Sequence, residues 1–222
     1  MMMQLFLLFC LSLLPLEAAP AGSLINSLDA PTIVIDGGHG GRDEGAKARS
    51  PFCEEKRVCL LTARLVKRYL EQLGYHVVMT RGTDDFIPLP KRVEIAKQAR
   101  ANIFVSVHYN SSRSPEAKGI EVFFFDSKEN QMRAKASKKL ADSILSRLIR
   151  KTSATSRGVK KGNFYVIRET SMPAVLIEGG FISNTKERAL LKTRTYQEKI
   201  AQGIADGIDE YFKARWKKGK KL

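Results

Sequence analysis

The sequence contains few of the residues that cross-link proteins or bind metals: its 222 residues include three cysteines and three histidines. Lipidation of Cys10 is not expected, because Phe9 stands where a lipoprotein anchor requires a small residue. Cys53 and Cys59 are six residues apart near a predicted helix start, a spacing that does not readily bring two Cβ atoms face to face. We therefore expect two free, partly buried thiols. Their spacing also lacks the second pair of a zinc knuckle.

Several familiar hydrolase motifs are missing as well. The chain has no His-Glu-x-x-His helix, no serine-nucleophile elbow and no catalytic cysteine–histidine context. It has no internal repeat, and its basic carboxyl-terminal tail is the only low-complexity block. These absences exclude the common metalloprotease and serine-hydrolase architectures and favour one compact domain.

Positive charge is missing from the amino-terminal run, which is apolar from Met1 to Pro15. Small residues follow it, a pattern typical of a secretory signal peptide over residues 1–21, cleaved near Ala19 or Ala21. The run is short for a membrane span, which needs about 20 apolar residues. We therefore expect a periplasmic or otherwise exported protein in which residues 22–30 form a linker.

Acidic residues are outnumbered, and the formal net charge is +15. Between Lys128 and Arg168 there are 12 lysines and arginines against only Glu129 and Asp142, and residues 213–222 add six more basic residues. Such a field attracts polyanions. For an exported protein we expect carboxylate-bearing wall polymers or anionic lipid headgroups rather than nucleic acid. A solvated face and a frayed tail explain the same charge equally well.

Strand-like and helical patterns alternate along the chain. The strand-like runs are 32–36, 76–80, 102–108, 119–125, 163–167 and 174–178, and the helical patterns cover 55–73, 88–101, 129–151 and 185–213. This alternation predicts one α/β domain over residues 31–213, with a twisted, mostly parallel sheet flanked by helices on both faces. A basic tail, residues 214–222, would follow it.

Two histidines are predicted at the carboxyl ends of strands, His39 in the loop after the first strand and His108 where the third strand gives way to its loop. Ligands of open α/β sheets bind beyond the carboxyl ends of the strands, so we expect both side chains to face one crevice. Catalytic zinc commonly has three protein ligands and a water. Glu54 or Glu55, at a helix start, would supply the third ligand, and periodicity does not separate them. His76 begins a strand at the opposite edge, and we expect it to be structural.

Glu178 closes an apolar strand and is the strongest further candidate. A carboxylate there is costly unless it has a metal, a cation or a reacting proton as its partner. Zinc can lower the pKa of bound water to about 7, and a nearby carboxylate can then transfer protons to and from the reacting groups. The pattern therefore predicts a zinc-dependent hydrolase with Glu178 as its catalytic carboxylate.

Several segments, in a fixed order, carry a family resemblance. They are Ile33-Val-Ile-Asp-Gly-Gly-His39-Gly-Gly, Glu55-Lys-x-x-x-Leu60, Ala101-Asn-Ile-Phe-Val-Ser-Val-His108-Tyr-Asn, Gly158-Val, Phe164-Tyr-Val-Ile-Arg, and Pro173-Ala-Val-Leu-Ile-Glu178-Gly-Gly-Phe-Ile-Ser-Asn. Together they resemble the zinc-dependent N-acetylmuramoyl-L-alanine amidases of bacterial cell separation, over about residues 32–212.

The resemblance implies one zinc ion bound by His39, Glu55 and His108, with Glu178 as the catalytic residue. It selects Glu55 over Glu54, because the glutamate of the family directly precedes a lysine. The implied reaction cleaves the amide between N-acetylmuramic acid and L-alanine in peptidoglycan, during wall remodelling and daughter-cell separation. The alternative is a zinc carboxypeptidase that trims stem peptides, alone or as a second activity.

Some relatives carry a helical insertion that plugs the site until an activator binds. Here the segment from His108 to Gly119 is short, and one ordinary helix is predicted before Glu178. We therefore expect a monomeric enzyme that needs no obligatory activator. A separate wall-binding module is missing from the sequence, and we expect the basic face to hold the enzyme on its substrate instead.

Overall fold

The computed structural model describes residues 30–50 and 52–219. Its strands are β1 (Thr32–Gly37), β2 (Lys47–Arg49), β3 (Phe52–Glu54), β4 (His76–Met79), β5 (Ile103–Asn110), β6 (Ile120–Phe124), β7 (Ser156–Lys161) and β8 (Ala174–Phe181). Its helices are α1 (Glu55–Gln72), α2 (Leu89–Gln98), α3 (Gln131–Thr152), α4 (Tyr165–Glu169), α5 (Thr185–Leu191) and α6 (Arg194–Gly219). The predicted signal peptide and most of the predicted linker lie outside the described residues.

Six strands form the central sheet, in the order β4-β1-β5-β8-β6-β7. All neighbouring pairs are parallel except β6 and β8. Central parallel strands are covered on both faces and therefore read as nearly continuous apolar runs, as β1 and β5 do. The predicted α/β domain with a mostly parallel sheet is confirmed.

Side chains alternate between the two faces of the sheet, and each face has its own core. Ile33, Ile35 and Val105 belong to the larger core, on the face that α1, α3 and α6 cover. Val34 and Phe104 belong to the smaller core, on the face of α2 and α4. Helices therefore flank both faces, as predicted.

Helix α1 begins at Glu55, one of the two candidates for the third metal ligand. The small antiparallel pair β2–β3 leads directly into it, and the Glu55 amide donates to the carbonyl of Ala46 at 2.9 Å. The helix ends at Gln72, and Gly74 follows with a φ of +90° that favours glycine. The predicted helix over 55–73 is confirmed to within one residue.

The strand predicted over residues 163–167 is wrong, because residues 165–169 form α4. Val166 and Ile167 are adjacent and both are buried against the sheet. A strand would point them to opposite faces, whereas one helical turn lets both face the same core. Strand β7 was not predicted. Its mostly polar sequence, Ser156-Arg-Gly-Val-Lys-Lys161, has no apolar alternation because it lies at the sheet edge.

The closing helix predicted over 185–213 is two helices, α5 and α6. Helix α5 begins after Asn184, whose side chain accepts hydrogen bonds from two amides of the first turn. Thr193 lies between the two helices. Its hydroxyl donates to the carbonyl of Leu190 at the end of α5 and accepts from the amide of Tyr196 in the first turn of α6. Helix α6 then extends to residue 219, into the segment predicted as a tail.

Cys53 and Cys59 are free, as predicted, and both are fully rather than partly buried. None of the described helices is long and apolar enough to span a bilayer.

Candidate metal centre and active site

Three elements bring His39, Glu55 and His108 together. His39 lies in the loop after β1, Glu55 is the first residue of α1, and His108 lies on β5. The prediction that the strand ends and its loop begins at His108 was wrong, because β5 continues for two residues past it to Asn110. The predicted crevice therefore opens beside the last residues of β5 rather than beyond them.

The atoms of these three residues are close enough to share a metal ion. The His39 Nε2 and His108 Nδ1 nitrogens each lie 3.0 Å from Glu55 Oε1. One potential ligand atom from each residue lies within 4.8 Å of the others. Tetrahedral ligands at about 2.0–2.1 Å from zinc are about 3.3 Å apart, so the triad fits the ion with little adjustment.

Glu54 does not join the histidines. It ends β3, and its carboxylate forms an ion pair with Arg57 at 2.5 Å. The structure therefore places Glu55, and not Glu54, in the triad. The two glutamates are adjacent, and they differ because Glu54 ends β3 whereas Glu55 begins α1.

Hydrogen bonds from outside the triad hold His39 and Glu55 in position. The His39 Nδ1 atom lies 2.9 Å from Asp43 Oδ1, which leaves Nε2 facing Glu55. The amide of Ala46 donates to Glu55 Oε2 at 2.8 Å, and the amide of Tyr109 donates to Oε1 at 3.2 Å. Partners of this kind orient metal ligands and fix the histidine tautomer.

Charge complementarity within the triad shifts the pKa values of its members. Burial raises the pKa of Glu55, but hydrogen bonds with His108 and His39 outweigh it and hold that pKa below its usual value. Burial lowers the pKa of His39, but Glu55 and Asp43 reverse the effect and raise it. Imidazole and carboxylate groups bind metals in their deprotonated forms. A bound cation would therefore replace the proton that these contacts stabilise within the triad.

Two buried arginines fix the backbone that carries His39. Arg81 donates to the carbonyls of Gly37 and Gly38 at 2.8 and 2.7 Å. Arg92 donates to the carbonyls of Gly37 and His39 at 3.0 and 2.7 Å. His39 has a φ of +58°, a left-handed conformation that is uncommon outside glycine. The arginines therefore stabilise a conformation that the local sequence alone disfavours.

The carboxylate of Asp36 balances the buried positive charge of Arg92. The carboxylate accepts from Arg92 Nη1 at 2.6 Å, from the Thr80 hydroxyl at 2.6 Å and from the Ser106 hydroxyl at 2.7 Å. Burial raises the pKa of Asp36, but Arg92 and the two hydroxyls together lower it below its usual value. A charged carboxylate is thus kept inside the fold.

Gly38 allows the loop that carries His39 to approach β5 closely. A Cβ atom at this position would lie 2.2 Å from the His108 ring, a distance that real Cβ atoms do not show. Its φ is not in the left-handed region, so the requirement for glycine is the close approach itself.

Glu178 lies beside the triad on β8, directly across from His108 in the sheet register. It does not end its strand as predicted, because β8 continues to Phe181. Its Oε2 atom is buried and has no hydrogen-bond partner among the described residues. Burial, followed by the charges of Glu55 and Glu121, raises the pKa of Glu178 to about 9. A buried carboxyl without a partner points to a missing cation or reacting group.

A cavity of about 250 Å³ adjoins the triad. Its polar lining comes from His39, His108, Asp36, Asp43 and Arg92, and its apolar wall comes from Phe86, Ile87, Leu89 and Val166. Val166 belongs to α4, the element that the sequence pattern misassigned. The site therefore combines reactive groups with a surface that excludes water.

Sequence reasoning missed four residues that shape this site: Asp36, Asp43, Arg81 and Arg92. Asp43 follows His39 by four residues in a glycine-rich loop, a signal that could have been used. The sequence carries no such signal for the arginines, because Arg92 and its hydrogen-bond partner Asp36 are 56 residues apart. His76 begins β4, which is parallel to β1, and it pairs with Thr32 at the opposite end of the sheet from the triad.

Comparisons with known proteins give a consistent result. Residues 33–210 match the family Amidase_3, N-acetylmuramoyl-L-alanine amidase. The chain is 37% identical to YqiI of Bacillus subtilis, over 90% of this chain and 93% of that protein. It is 35% identical to LytH of Staphylococcus epidermidis, a probable cell wall amidase, over 84% of this chain and 60% of LytH.

A solved structure shares the fold. The catalytic domain of CwlV, an N-acetylmuramoyl-L-alanine amidase from Bacillus (Paenibacillus) polymyxa var. colistinus, is 43% identical, with a TM-score of 0.76. The match covers 82% of this chain and 98% of that domain. Sequence, fold and site geometry agree, and the chain belongs to the N-acetylmuramoyl-L-alanine amidase family.

Proposed function

We propose that the chain is an exported, zinc-dependent amidase that hydrolyses the bond between N-acetylmuramic acid and L-alanine in peptidoglycan. The observation that carries this proposal is the unpartnered carboxyl of Glu178 beside a triad of potential metal ligands. His39, Glu55 and His108 would hold one zinc ion, and Glu178 would be the catalytic residue.

The donor set of two imidazoles and one carboxylate is typical of catalytic zinc sites with an open position for water. When bound, zinc would lower the pKa of a water and polarise the carbonyl under attack. Asp43 and the amides of Ala46 and Tyr109 keep the ligands oriented. Arg81 and Arg92 keep the His39 loop in place.

Glu178 moves the protons of the reaction. Without a cation its pKa is raised to about 9, so it holds a proton at neutral pH. A positive charge in the triad favours the ionised form, which then accepts a proton from the attacking water. Glu178 next donates that proton to the departing amine of L-alanine, which would otherwise be a poor leaving group.

The cellular setting is part of the same proposal. The signal-like segment supports export to the periplasm or the cell envelope, and wall remodelling with daughter-cell separation fits an enzyme of this specificity. The basic segment between Lys128 and Arg168 supports electrostatic contact with anionic wall polymers or membrane surfaces. Nucleic acid is not proposed as a partner.

We also propose that the enzyme is a monomer that needs no obligatory activator. The expectation of one helix between His108 and Glu178 was wrong, since α3 and the short α4 both lie there. Helix α3 packs against α6 and β6. Helix α4 contributes Val166 to the cavity wall and leaves the triad beside an accessible cavity.

Digestion of purified peptidoglycan by the isolated enzyme, followed by mass analysis of the products, tests this proposal. Stem peptides that begin with L-alanine, together with intact glycan strands, are the expected products. Release of terminal D-alanine alone would identify the carboxypeptidase alternative. Digestion only after a second protein is added would contradict independence from an activator.

A further inference from the structure

Beyond the triad, one row of polar residues crosses the sheet on a single face. In the strand register His108 on β5 pairs with Glu178 on β8, and Glu178 pairs with Glu121 on β6. Side chains paired in this way stand on the same face and are close together. Glu121 is 4% exposed and contributes to the raised pKa of Glu178. The row therefore connects the metal ligands to the far edge of the sheet.

Strand β7 completes the row with positive charge. The β6–β7 register shifts here, so that Arg157 and Gly158 together lie opposite Glu121. Gly158 has a φ of +86°, as expected where an extra residue bulges a strand. Arg157 Nε donates to Glu121 Oε2 at 2.9 Å, and Lys160 Nζ donates to the same oxygen at 2.5 Å.

The positive charge of Arg157 and Lys160 exceeds the negative charge of Glu121. One carboxylate faces two positive charges, so the cluster carries a net charge of about +1. Arg157 uses Nε on Glu121 and Nη1 on the carbonyl of Lys118, which leaves the donors of Nη2. Lys160 uses one of its three ammonium protons on Glu121. Both side chains are partly exposed, at 36% and 39%, and can reach an incoming anion.

We propose that Arg157 and Lys160 form a carboxylate-binding subsite that recognises the stem peptide of the substrate, held in place by Glu121. This inference rests on the proposed amidase function and names a specificity element of the same site. If the cations only neutralised Glu121, one of the two positive charges would be in excess of what a single carboxylate balances.

Distance selects which carboxylate the subsite would bind. Neighbouring strands are about 4.8 Å apart, so the β7 backbone lies about 10 Å from that of Glu178. The side chains of Arg157 and Lys160 shorten this gap. The α-carboxylate of D-glutamate, the second residue of the stem, lies about 7 Å from the scissile amide, at about 3.5 Å per residue. The terminal carboxylate of a longer stem lies several residues further away.

The test uses soluble disaccharide–peptide substrates in matched pairs. In one pair the α-carboxyl of D-glutamate is free or amidated, and in the other the terminal carboxyl is free or amidated. We expect the wild-type enzyme to prefer the free acid of the first pair roughly tenfold or more in kcat/KM, the effect of a charge-assisted hydrogen bond. The second pair should show little difference.

Variants assign this preference to residues. Arg157→Gln and Lys160→Gln should each reduce the acid-to-amide ratio several-fold, mainly through KM, and Arg157→Lys should retain part of it. Lys67→Gln is the matched control, because Lys67 is 37% exposed and pairs with Glu71 on α1, away from the row and outside the basic segment. Its ratio should equal that of the wild type.

The outcomes separate the two proposals. A wild-type enzyme that cleaves none of the four substrates at the muramoyl–alanine bond contradicts the proposed function. Cleavage without a preference in the first pair, or a preference that the Arg157 and Lys160 variants leave intact, overturns the subsite. A preference confined to the terminal carboxyl also overturns it. If Arg157→Gln does not fold, Lys160→Gln still decides.

Discussion

Arg92 and Asp36 form an ion pair that is buried at both ends, with 2.6 Å between Nη1 and Oδ1 and side chains only 3% and 1% exposed. The same guanidinium donates to the carbonyl of His39. A buried pair adds little net stability, but removing one partner leaves an uncompensated charge in the interior. The pair therefore links the integrity of the fold to the position of a candidate metal ligand.

The first prediction concerns this pair. Asp36→Asn should lower the free energy of unfolding by about 3–5 kcal/mol, because Arg92 keeps its charge and loses its partner. Asp142→Asn is the control, since Asp142 pairs with Lys138 at the surface, where such pairs contribute about 0–1 kcal/mol. Urea denaturation measures both. Equal losses in the two variants would show that the buried pair has no special role.

The acid dependence of stability follows from the same carboxylate. The folded state lowers the pKa of Asp36, so its stabilisation is present above the unfolded value of about 3.9 and is lost as pH falls through the lower folded value. Asp36→Asn should therefore lose less stability than the wild type between pH 4 and the acid midpoint. Denaturation curves at several pH values provide the comparison.

The second prediction separates Glu55 from Glu54. Glu55→Gln should reduce zinc affinity by at least roughly 100-fold, more than the loss of an outer hydrogen-bond partner causes. Glu54→Gln should bind zinc like the wild type, because Glu54 contacts Arg57 and Lys47 instead. Competition with a chromogenic chelator measures the affinity. Loss of zinc in the Glu54 variant would reverse the assignment.

The third prediction concerns Glu178. Glu178→Gln should retain zinc and lose roughly 10²–10⁴-fold in kcat, the usual contribution of a positioned acid–base group. His39→Ala serves as the contrast, since it should lose zinc together with activity. Peptidoglycan digestion and metal analysis of the same preparations check this. Turnover close to wild type in the Gln variant would refute the catalytic role.

The same substitution has a consequence for stability. Folding raises the pKa of Glu178 to about 9, so its contribution is fully present below the unfolded value of about 4.3 and is lost as pH rises toward the folded value. In a buffer that chelates metal, Glu178→Gln should therefore gain stability relative to the wild type from pH 5 to 9. Parallel pH dependences would contradict the raised pKa.

The fourth prediction tests the close approach at Gly38. Gly38→Ala places a methyl group against the His108 ring and should displace either the ring or the loop that carries His39, with loss of most zinc binding and activity. Gly82→Ala is the matched control, because a Cβ there meets no atom within 4 Å. Zinc titration and digestion assays compare the two. Full activity in Gly38→Ala would mean that the loop has room to move.

The fifth prediction concerns the basic segment between Lys128 and Arg168. Binding of the enzyme to isolated sacculi should weaken steeply as salt rises from about 0.05 to 0.5 M, because surface charge is screened over a shortening Debye length. Cosedimentation at graded ionic strength measures the bound fraction. Binding that is insensitive to salt would assign the affinity to the substrate crevice alone.

Local patterns predicted most of the fold and the reactive residues. β1 and α1 were predicted within one residue because their apolar periodicity directly reflects burial. Tyr165–Glu169 was misassigned because a short apolar run fits both a strand and a helix until its packing is known. The sequence of β7 shows no apolar alternation, because an edge strand exposes much of its surface.

The hydrogen bonds that support the site could not be predicted from local sequence patterns. His39, His108 and Glu178 each follow or occupy a recognisable strand. Spacing narrowed the third ligand to Glu54 or Glu55, and the family resemblance selected Glu55. The choice between these two depends on where one helix begins in space. The contacts of Arg81 and Arg92 depend on how distant segments meet, and no local pattern records that.

The bulged, lysine-bearing edge of the sheet also bears on the behaviour of the protein in concentrated solution. Among the described strands, β7 pairs only with β6, so one side of its backbone is open to another chain. Lysines and bulges at such an edge oppose the addition of a further strand. Lys160, Lys161 and the extra residue at Gly158 thereby disfavour sheet-to-sheet aggregation at the border where we place substrate recognition.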